Sequence, residues 1–282
     1  MKVISVKFLF TLIICTVAGV VSVTKGAALP GDTSVLLANK MISEKIPTTI
    51  TLAAKPSNVV YPETLQSHRE QSVAYVEKFS SKKRNYLIHT YQRGKKYFPK
   101  ITAMLKRYQL PEELKVLIAL ESGFNGNAVS KAGAVGYWQI MDEVGKEYGM
   151  HIAAAKAKAS AKKKDERKNF SKSTLVAVKY LKDRCRNLDN DLLLMVAAYN
   201  CGVGNVWGAM KRSGKSNPDF WDIKKYLPAE TRSYVMNFIA LNVIFANYEN
   251  FTKQRLIFHP QPIQNIMTQS TVDCPQPTVN SL

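Results

Sequence analysis

One carboxylate, that of Glu121, occupies a position where a helix normally carries an apolar side chain. It follows the run ELKVLIAL, with apolar residues seven, four and three positions before it at Leu114, Leu117 and Ile118. That spacing places all four side chains on one face of a helix. A carboxylate on the apolar face loses hydration, and its pKa rises. The pattern therefore predicts a buried acid that can donate a proton.

Small, aromatic and amide residues accompany Glu121 in three short stretches: ESGFN at 121–125, GAVGYWQ at 133–139 and AAYNCG at 197–202. Aromatic rings stack on sugar rings, and amides both donate and accept hydrogen bonds with hydroxyl groups. Glycosidases commonly use a carboxylic acid of raised pKa to protonate the departing oxygen. The combination predicts a sugar-binding groove in which Glu121 is the acid.

Helices are expected to position these stretches. Three helical segments precede Pro111, which with the two acids after it begins the helix that carries Glu121 and stops at Gly123. Later helices are expected to be capped by Ser173 and by Asp191, and a final helix begins near Pro228. Residues 67–250 contain no alternating β-branched runs flanked by turns, so the predicted domain is mainly α.

Charge and the N-terminus narrow the choice of partner. Lys and Arg number 40 against 21 Asp and Glu, a formal charge of +19 that is typical of proteins contacting nucleic acid, anionic lipid or another anionic polymer. Residues 1–28 have the layout of a secretory signal peptide, with an uncleaved membrane anchor as the alternative. We therefore predict export to a bacterial envelope or periplasm, with membrane association in the anchored case. The predicted partner is an envelope polymer rather than nucleic acid.

The remaining chain is predicted to comprise a linker at 29–57, one domain at 58–250 and an irregular tail at 251–282. Within the domain, residues 153–168 carry seven Lys or Arg. This Lys-rich segment is either a solvated helical insertion or an electrostatic tether to an anionic wall polymer.

Cysteine and histidine spacing indicates neither a metal site nor a cofactor. Outside the signal peptide the cysteines are Cys185, Cys201 and Cys274. A disulfide between Cys185 and Cys201 fits an oxidising compartment, but buried free thiols are the favoured interpretation.

The ordered motifs resemble the family 1 soluble lytic transglycosylases, whose catalytic domain is similar to goose-type lysozyme. Glu121-Ser122, Gly136–Gln139 and Ala198–Asn200 match the three signature motifs of that family. The set is similar to the membrane-bound lytic murein transglycosylase D branch, on the evidence of further matching stretches at Leu110–Leu114, Asp165–Arg167, Ser173-Thr174, Ala198–Val206 and Leu227–Val235. The resemblance covers about two thirds of the chain.

The resemblance implies that Glu121 is the sole catalytic acid/base in the β-1,4 cleavage of peptidoglycan between N-acetylmuramic acid and N-acetylglucosamine. The muramyl C6 hydroxyl then attacks C1 and gives a 1,6-anhydro product. An internal hydroxyl suits a mechanism with one carboxylate, because hydrolysis usually needs a second. The alternatives are a hydrolytic muramidase on the same fold and an inactive wall-binding protein.

The resemblance also implies roles for other residues. Gly133 and Gly136 match positions of tight backbone, and Tyr234 matches the tyrosine that orients the acid. The substrate-binding set carried over from the family is Ser122, Ser130, Gln139, Tyr199, Asn200 and Tyr234. Of the tryptophans, Trp138 is assigned to packing, and Trp207 and Trp221 are expected to be structural.

Overall fold

Helices make up most of the computed structural model, which describes residues 54–152, 165–186 and 188–262. The prediction of a mainly α fold is confirmed for this part of the chain. The α-helices are α1 (Arg69–Lys82), α2 (Arg84–Gly94), α3 (Phe98–Arg107), α4 (Leu117–Ser122), α5 (Asp142–Glu147), α6 (Phe170–Arg186), α7 (Leu192–Cys201), α8 (Val203–Ser213), α9 (Phe220–Ile223), α10 (Ala229–Ala246) and α11 (Tyr248–Thr252). Within the described ranges none of them is long and apolar enough to cross a membrane.

The chain divides into two compact units. Of the described residues, the larger unit takes those from Asn58 to Phe258, and it contains the hydrophobic core and every predicted site residue. The smaller unit takes the described residues 54–57 and 259–262, where strand β1 (Ala54–Lys55) pairs antiparallel with strand β2 (Gln261–Pro262).

Two helices form the centre of the larger unit. Every residue of α7 is buried, and α10 is buried over most of its 18 residues. A helix that is apolar on all sides must be surrounded by other elements, and α10 packs against α1, α4 and α7. Because α7 and α10 carry Tyr199, Asn200 and Tyr234, the core itself holds three of the predicted site residues.

Side chains cap the N-termini of α6 and α7, and one of the two predicted caps is wrong. As predicted, the Asp191 side chain accepts a hydrogen bond from the Leu194 amide at 2.8 Å and caps α7. The prediction that Ser173 caps α6 is wrong. That helix begins at Phe170, and the preceding Asn169 accepts a hydrogen bond from the Lys172 amide at 3.0 Å. The Ser173 hydroxyl, already inside the helix, donates to the Asn169 carbonyl at 2.7 Å.

The helix predicted from Pro111 begins as a 3-10 helix over Glu112–Val116 and continues as α4. It ends at Gly123, which adopts the left-handed conformation (φ +57°) that favours glycine at a helix C-terminus. Glu121 therefore lies in the last turn of α4, immediately before the chain turns away.

A loop over residues 123–141 follows α4, and buried Arg167 holds it in place. The Arg167 guanidinium pairs with Asp165 at 2.7 Å, donates to the Ile140 carbonyl at 3.3 Å and also pairs with Asp142. Nearby, buried Trp138 donates from its indole nitrogen to the Thr174 hydroxyl at 3.0 Å. The stretches DER and ST therefore fix the loop that carries Gln139.

Gly136 in this loop is expected to be much less tolerant of substitution than Gly133. Both have positive φ, +85° and +86°. A Cβ at Gly136 would lie 2.1 Å from the Arg167 carbonyl oxygen, whereas one at Gly133 would meet nothing within 4 Å. Gly136→Ala should lower the free energy of unfolding by on the order of 3 kcal/mol, and Gly133→Ala by about 1 kcal/mol. Urea denaturation measures both, and equal losses would contradict the constraint at Arg167.

Candidate active site

The carboxyl group of Glu121 is buried and accepts a hydrogen bond from a tyrosine. Only 2% of the residue is exposed, and Oε1 accepts a hydrogen bond from the Tyr234 hydroxyl at 2.5 Å, the contact expected from the sequence. Oε2 is also buried and has no hydrogen-bond partner among the described residues. An ionised carboxylate in such a place would be costly, because one charged oxygen would lack both water and a donor.

Burial raises the pKa of Glu121 to about 8. The hydrogen bond from Tyr234 opposes this increase, and the negative charge of Glu230 adds to it. At neutral pH the group is therefore mostly protonated, which is the state that a general acid needs.

Glu230 is a contributor that the sequence analysis missed. It lies in the stretch LPAETRSYV, four residues before Tyr234, so both side chains lie on the same side of α10. That spacing is the signal that could have identified it.

Behind the acid, polar contacts join α7 to its neighbours. The Tyr199 hydroxyl donates to the Trp138 carbonyl at 2.9 Å, and Asn200 Oδ1 accepts from the Thr231 hydroxyl at 2.7 Å. Burial, and then the charge of Glu121, raise the pKa of Tyr199 well above its usual value, so the hydroxyl keeps its proton. These contacts link α7 to the Gln139 loop and to α10.

An open cleft of about 450 Å³ lies beside Glu121. Three of the predicted substrate-binding residues line it: Ser122, Ser130 and Gln139. Their side chains also stabilise the surrounding backbone. The Ser122 hydroxyl donates to the Tyr137 carbonyl at 2.7 Å, Ser130 Oγ accepts from the Ala134 amide at 3.0 Å, and Gln139 Nε2 donates to the Gly136 carbonyl at 2.9 Å.

Tyr199, Asn200 and Tyr234 do not line this cleft; each is less than a tenth exposed. The structure therefore brings the predicted set together in two groups, one along the cleft and one behind Glu121. The cleft also contains residues that the sequence analysis did not single out: Tyr86, Val129 and Lys131. Tyr86 comes from α2 and is 42% exposed.

Glu121 is the one carboxylate among the described residues that line the cleft. The next acids along the chain, Asp142 and Glu143, lie in the first turn of α5, as their positions in the sequence indicate. Asp142 is engaged by Arg167.

Other interpretations from the sequence have mixed outcomes. Trp138 is fully buried, as assigned, and Trp207 is 46% exposed on α8. The expectation that Trp207 is structural stays a prediction. Amphipathic helices leave such rings on the outer face, and the sequence pattern alone did not show that face to be open. Cys201 is a buried free thiol, as the favoured interpretation of this residue predicts.

Several predicted segments lie wholly or mainly outside the described residues. These are the signal peptide at 1–28, most of the linker at 29–57, most of the Lys-rich segment and the tail beyond residue 262, which includes Cys274.

Residues 98–221 match the family model described as Transglycosylase SLT domain. The resemblance seen in the motifs is confirmed. The chain is also 34% identical, over 186 residues, to membrane-bound lytic murein transglycosylase D of Escherichia coli strain K12, an alignment that covers 65% of this chain and 38% of that protein. The chain thus spans well under half the length of this curated relative.

Two solved structures are similar at lower identity. One is an inactive variant of the lytic transglycosylase Slt of Pseudomonas aeruginosa, with 20% identity, a TM-score of 0.44, and coverage of 60% of this chain and 27% of that one. The other is the 70 kDa soluble lytic transglycosylase of Escherichia coli, with 21% identity, a TM-score of 0.41, and coverage of 55% and 25%.

Replacing Glu121 by Gln is expected to stabilise the protein in a pH-dependent way. The unfolded chain ionises Glu121 near the ordinary value of 4.5, whereas the folded chain keeps its proton up to about 8. The raised pKa therefore does not weaken folding below pH 4.5. As the pH rises from 4.5 toward about 8, the free energy of folding becomes less favourable. The Gln side chain does not titrate and still accepts from Tyr234.

The difference in unfolding free energy between Glu121→Gln and the wild type should grow across that pH range, to on the order of a few kcal/mol. Denaturant titrations at acidic, neutral and alkaline pH measure this difference. A difference that does not change with pH would contradict the raised pKa.

Proposed function

We propose that this protein is a peptidoglycan lytic transglycosylase. It cleaves the β-1,4 bond between N-acetylmuramic acid and N-acetylglucosamine and forms 1,6-anhydromuramyl products, with Glu121 as the sole acid/base. The observation that carries the proposal is a buried Glu121 that is the one carboxylate in the described lining of the cleft and whose pKa burial raises to about 8. The match to the SLT domain and the similarity to a murein transglycosylase support it.

In the first step, Glu121 transfers its proton to the glycosidic oxygen as the bond from C1 to that oxygen breaks. The N-acetylglucosamine side leaves with a hydroxyl group, and positive charge develops at C1 and the ring oxygen. Tyr234 holds Oε1, so Oε2 is the oxygen available to carry and deliver this proton.

In the second step, the ionised Glu121 accepts the proton of the muramyl C6 hydroxyl while that oxygen bonds to C1. Burial makes the Glu121 carboxylate a strong base, so the proton returns readily. The nucleophile already belongs to the reacting ring, so no water is consumed and little entropy is lost. The cycle ends with Glu121 protonated again.

The remaining predicted residues receive positioning roles in this proposal. Ser122, Ser130 and Gln139 shape the cleft wall that the glycan contacts. Tyr199 and Asn200 hold α7 against the Gln139 loop and α10, and Tyr234 fixes the orientation of the acid. We further propose export to the bacterial envelope or periplasm, where the glycan strands are found. The muramidase alternative is less well supported because hydrolysis usually needs a second carboxylate.

Digestion of purified sacculi followed by mass spectrometry tests the proposal. The wild type should release anhydromuropeptides, which are one water lighter than hydrolytic products. Glu121→Gln should lower release by about 100-fold or more while the protein stays folded, because proton transfer is lost. The control Glu113→Gln, a half-buried acid outside this cleft, should stay within about twofold of the wild type.

Two results would contradict the proposal. Products that carry the additional water would identify a muramidase. Binding to sacculi without any release by the wild type would identify a wall-binding protein.

A further inference from the structure

A second concavity, of about 370 Å³, lies between the end of α3 and the outer face of α6. Four cations line it: Arg107, Lys179, Lys182 and Arg186. We call it the basic pocket. It shares no lining residue with the cleft beside Glu121, so it is a separate feature of the larger unit.

The arrangement of the cations favours a bound anion. Lys179, Lys182 and Arg186 stand at i, i+3 and i+7 on one face of α6, where like charges repel. None of the four lining cations forms an ion pair with another residue in the described ranges. The one acid of the pocket, Asp183, accepts a hydrogen bond from the Tyr148 hydroxyl. An anion in the pocket would relieve the repulsion.

The rest of the lining suits an oxyanion carried on a polar polymer. Tyr108 and Gln109 add a hydroxyl group and an amide. Burial, and then the contact with Asp183, raise the pKa of Tyr148, so its hydroxyl keeps the proton that it donates to Asp183. Arginine and lysine supply charged donors to carboxylate or phosphate oxygens.

The pocket fits a polymer strand better than a lipid surface. Membrane-binding surfaces combine cations with exposed apolar side chains that insert among the lipids. The large apolar residues that are exposed in the described chain are Val60, Tyr86, Val129 and Trp207, and none of them lines the pocket. The cations instead come from two helices and surround a depression.

We propose that the basic pocket is an accessory site for the carboxylates of the peptide arms that peptidoglycan strands carry. This inference rests on the proposed function, because it takes the same polymer as the ligand. A strand held at the pocket is kept near the protein while the cleft takes a glycosidic bond. The pocket therefore contributes to affinity for the intact wall and not to the chemical step.

The test compares two triple variants in the Glu121→Gln background, so that the wall is not degraded. One is K179Q/K182Q/R186Q. The other is K78Q/K82Q/K83Q, which removes the same charge from exposed positions on and beside α1 that line neither cavity. Unfolding curves verify that both variants are folded, and co-sedimentation with sacculi at low ionic strength measures binding.

The pocket variant should bind sacculi on the order of tenfold more weakly, and the control variant within about twofold of its parent. Added salt should reduce the difference. Amidation of the wall carboxylates should weaken binding of the parent protein and remove the difference between the variants.

Three results would overturn the inference: equal losses in both variants, undiminished binding to amidated sacculi, or a pocket-dependent loss seen only with vesicles of anionic phospholipid. None of them concerns the release of anhydromuropeptides by the wild type. The accessory site can therefore fail while the proposed activity stands, and the reverse also holds.

Discussion

The hydrogen bond from the Tyr234 hydroxyl to Glu121 joins two helices whose residues are 113 positions apart in sequence. It also decides which oxygen of the carboxyl group is engaged and which is left for chemistry. A buried acid of this kind lowers the stability of the folded state at neutral pH. The fold tolerates it because α7 and α10, both almost wholly buried, provide an extensive apolar core around it.

The shape of the cleft also depends on residues that do not line it. Arg167 is nearly inaccessible, but through Asp142, Asp165 and the Ile140 carbonyl it fixes the loop that presents Gln139. Gly136 permits the loop backbone to pass close to Arg167, where a side chain would collide. The tight backbone expected at this glycine thus follows from one close contact between two backbone segments.

The helix boundaries and the buried position of Glu121 could be predicted from the sequence, because both follow from local rules. Helical spacing placed Glu121 on a buried face, and the Asp191 cap, the Gly123 stop and the helix start after Pro228 are all present. Contacts between distant segments were accessible only through the family resemblance, as for Tyr234. Glu230 was missed although its helical spacing from Tyr234 is a signal for it, because its charge acts on Glu121 across two helices, from α10 to α4.

The wrong cap assigned to α6 and the unpredicted arrangement of the site both depend on tertiary packing. Asn169 and Ser173 are both acceptable caps, and only the tertiary position of the first turn selects Asn169. The division of the predicted site into a cleft group and a buried group depends on which helix faces are covered. Periodicity indicates that a face is apolar but does not identify its neighbour.

An NMR titration of the Glu121 side-chain carboxyl carbon in the folded protein tests most directly whether Glu121 is protonated at neutral pH. The midpoint should lie near 8 in the wild type and higher in Tyr234→Phe, because the hydrogen bond that favours the charged form is lost. A wild-type midpoint near the ordinary value of 4.5 would mean that Glu121 is ionised at neutral pH. That result would contradict its role as the proton donor.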